Sequence, residues 1–167
     1  MRAMDKVDSF AKNLIKPLQR PPMNSAKLNR LVATSNDTAP LVLRVLVGII
    51  FAAHGSQKLF GFFGGYGLSG TGQFFDSLGL HPGVLMALMA GSAEFFGGVA
   101  LVLGLLVRPA GAVTAFTMLI AILSVHISKG LFLEKGGLEY ALALFAASTS
   151  LVFSGGGRAS VDRAIQQ

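Results

Sequence analysis

Six ionisable side chains stand inside, or at the ends of, long apolar runs: Arg44, His54, Lys58, Glu94, His126 and Glu139. Charge is costly in a hydrocarbon layer, so such residues face a bundle interior or a wet cavity and mark functional sites by default. An imidazole and a carboxylate held near each other can pass a proton. His54 and Glu94 are therefore the candidate proton-exchange pair, and Arg44, Lys58, His126 and Glu139 form the candidate polar cluster around it. No residue is assigned firmly as catalytic. The competing reading is a purely structural polar network. His54 and Lys58 are spaced i, i+4 and could snorkel together, Glu94 could pack as a hydrogen-bonded carboxyl, and Glu139 could start a helix whose dipole favours it. His54, His126, Glu94 and Glu139 could supply a His/carboxylate metal set. Neither histidine belongs to a close ligand pair such as H-x-x-x-H, so no metal is expected. Ser, His and Asp do not converge on a triad, and no P-loop is present.

The elements that must position these groups are membrane helices. The apolar runs are 41–60, 83–107, 109–127 and 137–154. Spanning the hydrocarbon core takes roughly 20 apolar residues. Backbone groups in lipid must be satisfied within their own element, which selects helices over strands. The expected fold is an all-α, integral membrane four-helix bundle over 41–155. A basic N-terminal tail precedes it (1–40) and a short C-tail follows (156–167). In the N-tail, Met4, Val7, Phe10, Ala11, Leu14, Ile15 and Leu18 recur at helical spacing until Pro17, Pro21 and Pro22. This reads as an amphipathic surface helix, with a disordered tail as the alternative. The tail lacks an uninterrupted apolar core and so is not expected to be a secretory signal peptide.

Between the first two runs lies GFFGGYGLSGTGQFFDSLGLHP (61–82). Gly65, Gly67 and Gly70 match G-x-G-x-x-G, but that motif binds dinucleotides only between a strand and a helix. A loop is the better reading, with Thr71 capping a short helix 72–78, Gly79 ending it, and Phe74 and Phe75 at the membrane interface.

Orientation follows from Lys and Arg. With the N-terminus inside, ten flank the spans on the cytoplasmic side (Arg2, Lys6, Lys12, Lys16, Arg20, Lys27, Arg30, Arg108, Arg158 and Arg163) and two outside (Lys129 and Lys135). The positive-inside rule places both termini in the cytoplasm. On ideal helix geometry Arg44, Phe51, Gly55 and Lys58 share one stripe, with His54 beside it, and Ala87, Ala90, Gly91 and Gly98 share the side of Glu94. From the rise per residue, ignoring tilt, His54 lies about 9 Å and Lys58 about 3 Å below the outer end of the first helix, and Glu94 about 17 Å from the outer end of the second. His126 and Glu139 fall within about 3 Å of that surface. The charges then form a funnel that opens outward and narrows to Glu94, with Arg44 alone at the inner level.

Composition sets the outer bounds. Of 167 residues, 52% are hydrophobic and 13% charged, and mean hydropathy is +0.62. Soluble domains carry about 25% charged residues, which argues against an ordinary soluble enzyme. There is no cysteine, so disulfides, thiolate nucleophiles and cysteine-ligated clusters are excluded. The net charge of +6 is concentrated in the N-tail. Beside membrane spans its natural partner is an anionic lipid surface, not nucleic acid.

The run LVLRVLVGIIFAAHGSQKLFG resembles the first helix of the DoxX family, with its Arg, its His-Gly pair and its Lys-Leu-Phe. GSAEFFGGVALVLGLLVRPAG resembles that family's second helix, with Glu in mid-span, then Gly-Gly, then a Gly-Leu turn ending in Arg. GLSGTGQFFDSLGL resembles the loop between them. The resemblance spans residues 41–155 and leaves the first forty outside. It implies a four-helix protein of the bacterial inner (plasma) membrane. Its relatives include the quinone-linked subunit of thiosulfate:quinone oxidoreductase and proteins tied to oxidative or quinone stress. No catalytic set carries over; Arg44, His54, Lys58 and Glu94 match motif positions.

Three functions compete. The first is a quinone-interacting oxidoreductase subunit, whose redox centre a partner enzyme supplies and in which His54 and Glu94 exchange protons. Nothing covalently bound is expected, and quinone is the candidate cofactor. The second is a transporter or channel for a small solute, which so thin a bundle would form only as a homo-oligomer. The third is a membrane scaffold for a soluble enzyme, docked on the basic tail. Whether the chain is itself an enzyme is left open by its sequence.

Overall fold

A computed structural model describes residues 29–166. The amphipathic stretch read in the N-tail lies outside them. The described chain is all-α: α1 Ala39–Phe60, α2 Gly67–Ser77, α3 Gly83–Leu103, α4 Val107–Ala121, α5 Glu139–Ser154 and α6 Val161–Gln166. Helix α4 runs on through a π-helical turn, Ile122–His126, into a 3-10 turn, Ile127–Lys129. Among the described residues, three helices are long and apolar enough to cross a membrane: Ala39–Phe60, Gly83–Leu103 and the continuous Val107–Lys129. Helix α5 has 16 residues and reaches about 24 Å at the usual rise. On α1, Val42, Leu46 and Ile49 form an exposed stripe, while Arg44, Val47, Phe51 and Gly55 turn inward. An apolar stripe facing out and a polar residue facing in is the pattern of a helix solvated by lipid.

Helices α1 and α3 pack antiparallel through glycines. A Cβ on Gly48 would strike the Gly98 carbonyl, one on Gly98 the Ala52 backbone, and one on Gly55 the Phe95 backbone. Removing the side chain at these positions lets the two backbones approach, the small-residue mode of packing in lipid. Helix α4 pairs with α5 in the same way, Gly111 resting on Ser148 and Val152. Phe51, Leu101, Val107, Met118, Leu144 and Leu151 form the core between the two pairs.

The apolar run of the second span reaches Val107, yet α3 stops at Leu103. Gly104 turns left-handed at φ 72° and donates to Leu101 O at 3.1 Å, which closes the helix as a glycine C-cap does. Helix α2 is longer than the sequence predicts and begins at Gly67. Thr71 is buried inside it and caps nothing. Gly72 of α2 lies against Val84, so α2 covers the first turns of α3. Among the described residues no strand precedes the glycine motif at 65–70; it straddles a loop and the start of α2.

At the end of the bundle that carries Arg44, residues 32–37 and 155–166 are knitted together. Arg158 N donates to Asp37 O at 2.9 Å, Gly157 N to Thr34 Oγ1 at 2.6 Å, and Gln166 Nε2 to Val32 O at 2.8 Å. Asp162, fully buried, accepts from Leu106 N at 2.6 Å and Val107 N at 2.8 Å. It thereby caps α4 from the far end of the chain, satisfying amides that a helix start leaves open.

Candidate functional site

A cavity of about 750 Å³ opens among α1, α2, α3, α4 and α5 at the end opposite Arg44. Most of its wall is apolar, with Phe51, Phe75, Met89, Phe116 and Leu144 prominent. Its polar lining is short: His54 and Lys58 from α1, Glu94 from α3, Thr117, Ser124 and His126 from α4 and its extension, and Tyr140 from α5. A largely apolar pocket with a few convergent polar groups is the usual form of a small-molecule site, and about 300–1,000 Å³ is the usual size.

Glu94 is 3% exposed, and its Oε2 lies 2.5 Å from the Lys58 ammonium. Sequence-based depth put these groups at different levels and offered His54 as the proton partner of Glu94. The structure pairs Glu94 with Lys58 instead. The error lies in assuming level helix ends. Helix α3 begins beyond the end of α1, because α2 folds across its first turns; Lys58 consequently stands beside Gly91, one turn from Glu94. His54 lines the same cavity but packs on Tyr140, ring centroids 6.1 Å apart. Among the described residues it shares no hydrogen bond with Glu94.

His126 reaches the cavity from the π-helical turn, and its Nδ1 lies 2.7 Å from Gly136 O. π-turns recur at functional sites because the wide turn re-aims side chains. Arg44 and Glu139 are elsewhere. Arg44 is 1% exposed and donates to the carbonyls of Gly156, Leu101, Val102 and Ala159; it binds the C-terminal segment to the α3–α4 turn. Glu139 Oε1 accepts from Leu133 N at 2.6 Å and ties down the loop before α5. Among the described residues, no three His, Asp or Glu side chains gather closely enough to share a metal ion.

Sequence reasoning missed Tyr140, Thr117 and Ser124, which carry no charge and so leave no mark in an apolar run. Phe74 and Phe75, expected at the membrane interface, also line the cavity. Outside the spans, Asp76 accepts from Gly83 N at 2.8 Å and stands 2.7 Å from His81 Nδ1. The Gly83 amide and then His81 hold its carboxyl below the usual carboxylate range. These contacts clasp the turn between α2 and α3 beside the cavity.

A family model described as DoxX matches residues 39–127, from the start of α1 through Ile127. A Bacillus subtilis (strain 168) protein named "Putative oxidoreductase CatD" is 36% identical over 120 residues, 72% of this chain and 83% of its own length. An Escherichia coli (strain K12) protein named "Inner membrane protein YqjF" is 29% identical over 137 residues, 78% of this chain and 95% of its own. No solved structure matches significantly.

Proposed function

The chain belongs to the DoxX family of membrane proteins, and from that premise we propose that it seats a quinone for a membrane oxidoreductase. The observation that carries this reading is the apolar cavity with Lys58, Glu94, His54 and Tyr140 on its lining. A quinone ring with an isoprenoid tail needs a greasy wall and donors for its oxygens. Phe51, Phe116 and Leu144 supply the first, and the Lys58 ammonium and Tyr140 hydroxyl the second. Bound there, the quinone supplies an electron-accepting ring. We assign the electrons to a separate redox enzyme of the same membrane, and we place the membrane as the bacterial plasma membrane with both termini inside. Within this chain, Glu94 and His54 hold protons at the cavity wall, and the apolar lining keeps water from competing. The relative named as an oxidoreductase and the one named as an inner membrane protein agree with this role. Passage of a polar solute fits less well, because the lining is mostly hydrocarbon and core side chains lie between the cavity and the Arg44 end.

The test is binding. Purified in detergent, the protein is expected to take up a decyl-chain benzoquinone, measured by calorimetry. Tyr140→Phe is expected to weaken it by about tenfold, the worth of one good hydrogen bond. A flat titration with a folded protein would end the quinone reading.

A further inference from the structure

The cavity's polar lining has two unlike sides. Along α4 and its extension, every polar hydrogen is already spent. Thr117 Oγ1 donates to Thr114 O at 2.8 Å, and Ser124 Oγ donates to Ile120 O at 2.6 Å. A hydroxyl has one hydrogen, so each oxygen has only lone pairs left to offer. His126 Nδ1 faces Gly136 O at 2.7 Å. A carbonyl can only accept, so Nδ1 carries the hydrogen, and Nε2 of the neutral ring is an acceptor. Among the described residues Nε2 has no partner. The other side differs: Lys58 keeps donors beyond the one facing Glu94, and Tyr140 carries a phenolic hydrogen.

We propose that this cavity binds the reduced, hydroxyl-bearing form of its ring ligand in preference to the oxidised form, with the Thr117, Ser124 and His126 wall as the discriminating surface. The inference rests on the quinone reading above and gives it a direction. The carbonyl oxygen of an oxidised ring accepts from Lys58 or Tyr140 but sets lone pair against lone pair at α4. The hydroxyl of a reduced ring accepts from the first side and donates to the second. A missed hydrogen bond at such a wall is worth about tenfold in affinity. Tighter holding of the reduced form raises the two-electron potential of the bound couple, by about 30 mV for that tenfold.

The experiment compares a decyl-chain benzoquinone with the corresponding benzoquinol by anaerobic calorimetry on the detergent-purified full chain. Dithionite keeps the quinol reduced, and with no cysteine present it leaves the protein unchanged. The quinol is expected to bind about tenfold more tightly. His126→Phe should abolish that preference by weakening the quinol alone. Ser124→Ala, which removes a single oxygen, should reduce it in the same sense and serves if the ring substitution fails to fold. The ¹⁵N spectrum of histidine-labelled protein, assigned by the signal lost in His126→Phe, should show His126 protonated at Nδ1 and bare at Nε2. Equal affinities, a preference for the quinone, or a neutral ring protonated at Nε2 would overturn the inference while sparing the quinone reading. Binding of neither form would remove both.

Discussion

Glu94 is buried with one strong partner, and a buried charge deprived of its partner costs about 3–5 kcal/mol. Glu94→Leu is therefore expected to lower the unfolding temperature sharply in detergent, because Lys58 is left unpaired against an apolar wall. Glu94→Gln keeps the acceptor oxygen and is expected to accumulate normally. If proton holding at Glu94 matters, the Gln variant should bind quinone yet lose quinone-dependent turnover with its partner enzyme. Full turnover in Glu94→Gln, beside collapse of Glu94→Leu, would make the residue a packing device. Charged residues in apolar runs were legible as a group, and Glu94, Lys58, His54 and His126 do reach one cavity. Whether Glu94 takes His54 or Lys58 was left open, since it depends on how far one helix overhangs another. Arg44 was read as standing alone at the inner level, but its carbonyl partners were not legible, because they come from two segments distant in sequence, 101–102 and 156–159.

Glycine spacing sets the helix register. Gly48 and Gly55 recur seven residues apart on α1, as do Gly91 and Gly98 on α3, and each meets the opposite backbone or side chains. Gly98→Leu is expected to push the two helices apart and cost at least the about 1–3 kcal/mol of an overpacked core. Spin labels on engineered cysteines at the exposed positions 46 and 99 should report the separation; an unchanged distance in the Gly98→Leu background would contradict this account. Helix existence was readable from length and hydropathy, and ends were not. The sequence shows Val107 as more apolar chain, whereas the helix stops where Gly104 takes a left-handed turn. The α2–α3 turn adds a pH dependence. Its Asp76 carboxyl is held below the ordinary value by the Gly83 amide and His81. The clasp is thus intact above the unfolded carboxyl's usual pKa of about 3.9 and is lost as pH falls through the lower folded value. Amide exchange at Gly83 should accelerate only in that acid range, and in Asp76→Ala at every pH; equal exchange in both proteins would discard the clasp.

At the scale of the whole molecule, hydrogen bonds knit segments 32–37 and 155–166 together and put both at one end of the bundle. Which side of the membrane that end faces is a matter of charge. The Lys and Arg bias predicts the cytoplasm, and on that prediction Ser69, exposed on α2, should face outward. The chain has no cysteine, so Ser69→Cys gives a single label site. It is expected to react with an impermeant maleimide in intact cells; protection until the cells are broken would invert the molecule. The four-helix plan was legible in hydropathy alone. The closure at the Arg44 end was not, because Asp162 and the carbonyls of Gly156 and Ala159 lie in a polar tail that resembles a loose end.

That closure also fixes an order of events during synthesis. The amides of Leu106 and Val107 are made long before Asp162, the carboxylate that satisfies them. While α5 is still being threaded into the bilayer, the α3–α4 turn has open donors and Arg44 lacks two of its four carbonyls. A ribosome stalled short of residue 162 therefore leaves a protein that is inserted but unlatched, and membrane proteases that survey nascent chains would meet it in that state.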